Sequence, residues 1–267
     1  MKIPRILTCV AIAAAFSASL FAQRPNTGYH SVACIKVKAE KNTEFRKWAA
    51  EDAHKFAQSR VDAGAYSTWF MLRSVVPQGT SAECDYLVIS MFPAAPPAPM
   101  GLEELGVALK KAGMSMSAQE YVDRRTSLTT LVSNNMFQNQ ASVGAMKKGD
   151  YFMVNYMKVP NMEDYVAYEK KVWKPLAEAM AKDGVRSGWS LNTQVIPSGS
   201  GTPFQAVTVD VYPSWESVFK DDSQFVDRFR KTHADMELGT TFEAYEKLRT
   251  LVSTQLYTVT DMISSTK

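Results

Sequence analysis

The sequence predicts an α+β fold made of two tandem βαββαβ units in one chain. Three observations carry that expectation. The chain repeats itself at a spacing of about 120 residues. Each repeat alternates strand-like and helix-like segments in the same order. The composition, 46% hydrophobic and 21% charged over 267 residues, is that of a globular chain able to bury one large core or two smaller ones.

The repeat decides the architecture, so it is read before the elements. Gly64-Ala65-Tyr66-Ser67-Thr68-Trp69 lines up with Gly184-Val185-Arg186-Ser187-Gly188-Trp189 at a shift of 120. The same shift pairs Val75 with Val195, Pro77 with Pro197, Gly79 with Gly199, and Phe92-Pro93 with Tyr212-Pro213. It also superposes two identical runs, Thr130-Leu131-Val132-Ser133 and Thr250-Leu251-Val252-Ser253. At the start the shift is 122: Tyr29, Val32, Lys36 and Val37 meet Tyr151, Val154, Lys158 and Val159. Chance gives a single match, not an ordered series. The units are expected at 29–140 and 149–262, with 141–148 as linker.

The elements follow from spacing. Tyr151 to Val159 reads as a strand that Pro160-Asn161 stops, and Asn161 is the expected N-cap of the next helix. Tyr165, Tyr168, Val172, Leu176 and Met180 recur at helical spacing as far as Gly184, a C-cap glycine. Phe45, Ala49, Phe56 and Gly64 do the same in unit one. A strand over 186–196, turn residues from Pro197 to Pro203, and a strand over 204–212 make a hairpin. Helical stretches follow at 214–220, 223–236 and 240–249, matched by 101–113 and 117–126 in unit one. A last strand, 251–259 or 131–138, ends each unit. The order is the ferredoxin-like split βαβ motif, and central-strand residues such as Val88 and Val209 are expected to be deeply buried.

Two such units in tandem resemble the dimeric α+β-barrel superfamily, in which two sheets pack face to face with helices outside. The markers are Gly184 with Trp189, Val195-Ile196-Pro197 with Gly199, and Tyr212-Pro213, each with its unit-one counterpart. The tandem form is similar to uncharacterised exported bacterial proteins and, more distantly, to NIPSNAP-like and antibiotic-biosynthesis-monooxygenase-like domains. The resemblance implies an intrachain barrel, as a monomeric pseudo-dimer or a homodimer. It implies no one chemistry, because the superfamily holds cofactor-free oxygenases, isomerases, haem enzymes and proteins without known activity.

The N-terminus reads as an address. Lys2 and Arg5 precede the apolar run Ile6 to Phe16, and small residues lead to Ala22, so residues 1–22 are expected to be a cleaved signal peptide and the protein periplasmic or secreted. Loss of Lys2 and Arg5 takes the formal charge from +3 to +1. Neither value suggests a nucleic-acid partner, and no membrane attachment is expected after cleavage. Cys34 and Cys84 remain in an oxidising compartment. With the first and third strands of a unit aligned at their midpoints, the two cysteines sit about four residues, or ~13 Å, apart, beyond disulfide reach. Two free thiols are expected.

Chemistry-bearing motifs are sparse. There is no nucleophile elbow, no Gly-rich nucleotide loop and no metal-ligand spacing around His30, His54 or His233. No cofactor or metal is expected. His54 lies opposite Phe45 on its helix and should face solvent. Trp69 and Trp189 stand in both units, which favours core packing over ligand stacking.

One asymmetry between the units is informative. Setting Trp189, Leu191, Val195, Val207, Val209 and Val211 on the core side of the unit-two hairpin leaves Ser190, Asn192, Gln194, Thr208, Asp210 and Tyr212 on the other. Unit one has Phe70, Leu72, Ser74, Val88, Ser90 and Phe92 there. One reading is a polar-lined pocket in unit two with Tyr156, Ser190, Asn192, Thr208 and Asp210 as ligand-binding candidates. Tyr156 or Lys158 would then partner the mid-strand Asp210. The other reading is a solvent-facing sheet side or a buried structural hydrogen bond. The stiff run from Pro93 to Pro99 suits packing or a rim.

The functional expectation is an exported protein that binds a small organic ligand in an α+β-barrel pocket. The alternatives are a cofactor-free monooxygenase- or isomerase-like enzyme using Asp210 or a histidine as base, and a structural or partner-binding protein with a large apolar patch.

Overall fold

A computed structural model describes residues 28–265; the expected signal peptide lies outside them. Eight strands form one closed barrel: β1 (Tyr29–Val37), β2 (Thr68–Val76), β3 (Tyr86–Phe92), β4 (Thr129–Gly144), β5 (Tyr151–Lys158), β6 (Gly188–Ile196), β7 (Ala206–Tyr212) and β8 (Thr250–Ser264). Their order around the barrel is β1-β3-β2-β8-β5-β7-β6-β4, with every pairing antiparallel. The ferredoxin-like order β4-β1-β3-β2 therefore occurs once in the first half and again, as β8-β5-β7-β6, in the second.

The seams between the halves are β2 with β8 and β4 with β6. They explain why β4 and β8 run well past the expected 131–138 and 251–259. Each begins beside the first strand of its own half and ends beside the second strand of the other half. A closed barrel leaves no unpaired edge.

Helices cover the outside. In the first half Asn42–Trp48 passes through one π turn, Ala49–Ala53, into His54–Asp62. In the second half Met162–Tyr168, the π turn Glu169–Trp173 and Lys174–Lys182 repeat the device. The Asn161 side chain caps its helix by accepting the amides of Glu163 and Asp164, and both Gly64 and Gly184 adopt φ +71° as C-caps. Helices Leu102–Lys111 and Ala118–Leu128 complete the first half; Trp215–Val218, Phe225–Thr232 and Leu238–Leu248 complete the second.

The core is layered. Phe45, Trp48, Trp69, Met71 and Tyr121 pack between the first helices and the barrel wall. Phe70, Leu72, Leu87, Phe137, Phe152, Val154 and Tyr257 meet inside the barrel. Tyr165, Trp189, Leu191 and Tyr245 pack under the second helices. Trp69 and Trp189 thus pack between wall and helices. Because both faces of the wall are covered, β7 is buried at every position but Val209. Val88 and Val209, expected to be deeply buried, are only half-buried; Val209 faces an internal cavity.

Cys34 and Cys84 form a disulfide with their Cα atoms 5.2 Å apart, which overturns the expectation of free thiols. The strands pair close to their midpoints, Ala33 opposite Val88, so the difference lies in the segment before β3 and not in the register. Cys34 sits opposite Leu87, the second residue of β3. The segment before β3 folds inward over the barrel end: Ala82 and Cys84 are buried, and the Asp85 amide donates to Ile35 O. That inward turn removes the separation assumed along the strand.

Candidate functional site

A cavity of about 400 Å³ occupies the barrel interior. Its mouth lies at one end, where Gly28, Ser67, Pro93, Ala145 and Met146 stand beyond the ends of β1 to β4. At this rim Gly144 pairs with Gly188. Gly144 has φ +72°, and a Cβ there would lie 2.1 Å from Ser187 O, so only glycine allows β4 to turn away at this point. The Cys34–Cys84 bridge, Phe204 and Tyr257 fill the other end of the interior.

The walls are mostly apolar: Phe70, Leu72, Leu87, Ile89, Phe137, Phe152, Val154, Val207, Val209 and Val211 all line the space. Polar groups gather on three adjacent strands, β1, β4 and β6. Asn139 Nδ2 donates to Asn192 Oδ1 at 3.0 Å, and Asn192 Nδ2 donates to Ser190 Oγ at 3.0 Å. His30 is 8% exposed and stacks on Phe137 with ring centres 5.5 Å apart. Its Nδ1 is buried without a hydrogen-bond partner among the described residues. Burial pushes its pKa down to about 4, so the ring is uncharged at neutral pH. Tyr156 meets Phe204 edge to face at 4.7 Å, and burial holds its hydroxyl well above the ordinary tyrosine range.

Of the five candidate residues, Tyr156, Ser190 and Asn192 line this cavity, and Thr208 and Asp210 do not. The reason is register. β6 and β7 pair Trp189 with Asp210, Ser190 with Val209, Leu191 with Thr208 and Asn192 with Val207. Directly paired residues share a face, so Ser190 and Asn192 point inward with Val207 and Val209, and Asp210 points outward with Trp189. Asp210 is nonetheless buried. It pairs with Arg186 and accepts from Asn155 Nδ2 at 3.1 Å, whereas Tyr156 and Lys158 do not partner it. Burial raises its pKa, with Arg186 and Asn155 opposing. Neither side of β7 is a solvent-facing sheet side. The cavity is also not confined to the second unit, since His30, Phe70 and Asn139 come from the first.

The remaining histidines lie elsewhere. His54 does not simply face solvent: its Nδ1 lies 2.7 Å from Asp261 Oδ2 on β8. That pair lines a second cavity, about 310 Å³, between the first helix and the sheet, where Ala49 and Ala50 take the places of Glu169 and Lys170. His233 is buried with Nε2 2.9 Å from Val172 O. Among the described residues no three metal-ligating side chains converge.

No family model matches the chain, and no curated protein sequence matches it. Solved structures do. A Lactobacillus acidophilus NCFM protein described as a "putative monooxygenase" superposes with TM-score 0.53 at 11% identity, over 89% of this chain and 96% of that one. A Fusobacterium nucleatum protein described in the same words gives TM-score 0.52 at 8% identity, over 90% and 95%. An anthrone oxidase-like protein gives 0.50 at 12%, over 91% and 95%. With the closed eight-stranded barrel and its outer helices, these likenesses decide the architecture. The fold is that of the dimeric α+β barrels. At such identities the likeness speaks to fold alone.

In this dimeric α+β barrel both halves of the dimer belong to one chain, so equivalent wall positions are free to differ. Ser190 and Asn192 stand where the first half has Phe70 and Leu72. His30 stands where the second half has Phe152, and Asn139 where it has Val259. The sequence carried the first contrast. The His30/Phe152 contrast was equally present in the repeat alignment, but nothing local shows that the first strand of one half faces the second strand of the other.

Proposed function

We propose that this protein is an exported carrier or receptor that binds a small organic molecule inside the barrel. The observation that carries this reading is the cavity of about 400 Å³. It lies within the range of small-molecule sites and combines apolar walls with a few convergent polar groups. The Cys34–Cys84 disulfide supports export, because such bridges persist in oxidising compartments. The cofactor-free monooxygenase or isomerase reading is weaker. Asp210 has no place in the cavity. His30 does, but a base of pKa about 4 is poorly matched to removing a proton near neutral pH.

The test is native mass spectrometry of the protein isolated from its exporting cell. A bound organic mass released on unfolding is expected from the natural chain. Ser190→Phe with Asn192→Leu installs the residues that the first half carries at these positions and should abolish that mass without changing the circular dichroism spectrum. The same adduct on the double variant, or no adduct and no uptake of a neutral naphthalene probe by the natural chain, would refute the reading.

A further inference from the structure

We infer that the second cavity, between the first helix and the barrel wall, binds a small organic carboxylate whose charged group is held by Arg46 and Arg73. This inference does not depend on the barrel-binding reading and is tested apart from it.

The cavity of about 310 Å³ is built from three parts of the chain. Arg46, Ala49, Ala50 and His54 line it from one flank of the helical segment, as residues three and four apart can. Met71, Arg73, Tyr86 and Asp261 line it from the wall. They share a face because of register: Met71 pairs with Asp261 on β8, and Arg73 pairs with Tyr86 on β3. Lys148 comes from the turn before β5. There Gly149 N donates to Val259 O at 2.9 Å, next to the Thr258 that pairs with Arg73.

The charge on this lining is unbalanced. Arg46, Arg73 and Lys148 make no ion pair with a described residue. The one acid in the lining, Asp261, is engaged by His54, whose Nδ1 lies 2.7 Å away. Asp85, beside Tyr86 in sequence, is engaged by Lys36 at 3.5 Å and by the Val37 amide. The two arginines act on one point. Burial raises the Tyr86 hydroxyl above the ordinary tyrosine range, and the charges of Arg73 and Arg46 pull it back. That hydroxyl is itself unused. Tyr86 is 6% exposed and its ring meets Phe45 at 4.7 Å, but its oxygen makes no hydrogen bond to a described residue.

Such a set fits an oxyanion. Two guanidinium groups and a phenol offer charge-assisted donors, and the planar guanidinium fork matches a carboxylate. Phosphate would accept the same donors. The walls favour an organic ion, because Phe45, Ala49, Ala50 and Met71 offer apolar surface that only an organic body can cover. Length agrees as well. Arg73 and Met71 stand two residues apart on β2, about 7 Å, close to the length of a benzoate ion.

The second half does not repeat the site. Val166, Thr193 and Ala206 stand where the first half has Arg46, Arg73 and Tyr86. Glu169 takes the place of Ala49 and accepts the Tyr245 hydroxyl. The barrel cavity differs too, since no Lys, Arg, Asp or Glu lines it. The two cavities therefore select opposite classes of ligand, one uncharged and one anionic.

The test is a titration of the full mature chain with benzoate, benzamide and inorganic phosphate at one fixed pH. Histidine side-chain NMR reports the location, because His54 lines this cavity and His30 lines the barrel. Benzoate should move the His54 signals and leave those of His30 in place. It should bind there about tenfold more tightly than benzamide or phosphate. Its affinity should fall several-fold as sodium chloride rises from about 20 to about 200 mM. Arg46→Gln and Arg73→Gln alter exposed side chains, so both variants should fold, and each should weaken benzoate about fivefold or more. Ala50→Leu, also at an exposed position, should obstruct the cavity without changing charge and weaken benzoate as well. Ser190→Phe with Asn192→Leu should leave benzoate binding unchanged. No shift at His54, a benzamide or phosphate affinity within threefold of benzoate, or benzoate binding that survives the Arg46→Gln, Arg73→Gln double variant overturns the inference. A benzoate shift at His30 instead of His54 would place the anion in the barrel and overturn it too.

Discussion

Glu169 offers the sharpest quantitative test of the packing. It sits in the second π turn and is 1% exposed. Its Oε1 accepts the Tyr245 hydroxyl at 2.6 Å, and its Oε2 is buried without a hydrogen-bond partner among the described residues. Burial pushes the acid from 4.5 up to about 7, with the Tyr165 and Tyr245 hydroxyls pulling it partly back and nearby Asp210 adding to the rise. A raised acid is held protonated longer by the folded chain than by the unfolded one. Below about pH 4.5 both states carry the proton and the group is neutral in effect. Between pH 4.5 and 7 only the unfolded chain ionises, so stability falls as pH rises. Above pH 7 the full cost is present: a change from 4.5 to about 7, at 1.36 kcal/mol per pH unit, is about 3 kcal/mol. Glu169→Gln keeps the shape and removes the ionisation. Urea unfolding of both proteins, followed by tryptophan fluorescence, should show the glutamine variant gaining about 2 to 3 kcal/mol on the natural chain between pH 5 and pH 8. Titrating groups not coupled to Glu169 cancel in that difference. A difference that stays flat across the range would refute both the burial and the sign of the argument.

The other expectations are simpler. Replacing Cys34 and Cys84 together by alanine opens a loop of sequence separation 50 and should cost about 4 kcal/mol of stability. Thiol titration of the denatured, unreduced mature chain should find no free thiol. Asp210→Ala strands Arg186 and the Asn155 amide and should destabilise by about 3 to 5 kcal/mol. It should nonetheless leave binding of a neutral naphthalene probe unchanged, since Asp210 lies on the helix side of β7; a loss beyond threefold in a milder, folded Asp210→Asn variant would contradict that placement.

By itself the sequence determined what depends on neighbours along the chain. The repeat located both βαββαβ units, Asn161 and the glycines at 64 and 184 marked helix ends, and the order of elements implied the sheet order β4-β1-β3-β2. Caps, turns and hydrophobic spacing are local chemistry, so they can be read locally. The contrast of Ser190 and Asn192 with Phe70 and Leu72 was readable for the same reason, and it identified part of the cavity wall. Tertiary structure alone decided the rest. A strand shifted by one residue turns every side chain to the opposite face, so the β6–β7 register turned Thr208 and Asp210 away from the cavity while keeping Ser190 and Asn192 in its wall. The inward turn before β3 joined Cys34 to Cys84, which strand arithmetic had placed out of reach. His30 acquired its importance only when β1, β4 and β6 closed one wall of the barrel. Pairing between distant segments is set by the total free energy of closing the barrel, and no short stretch of sequence contains that quantity.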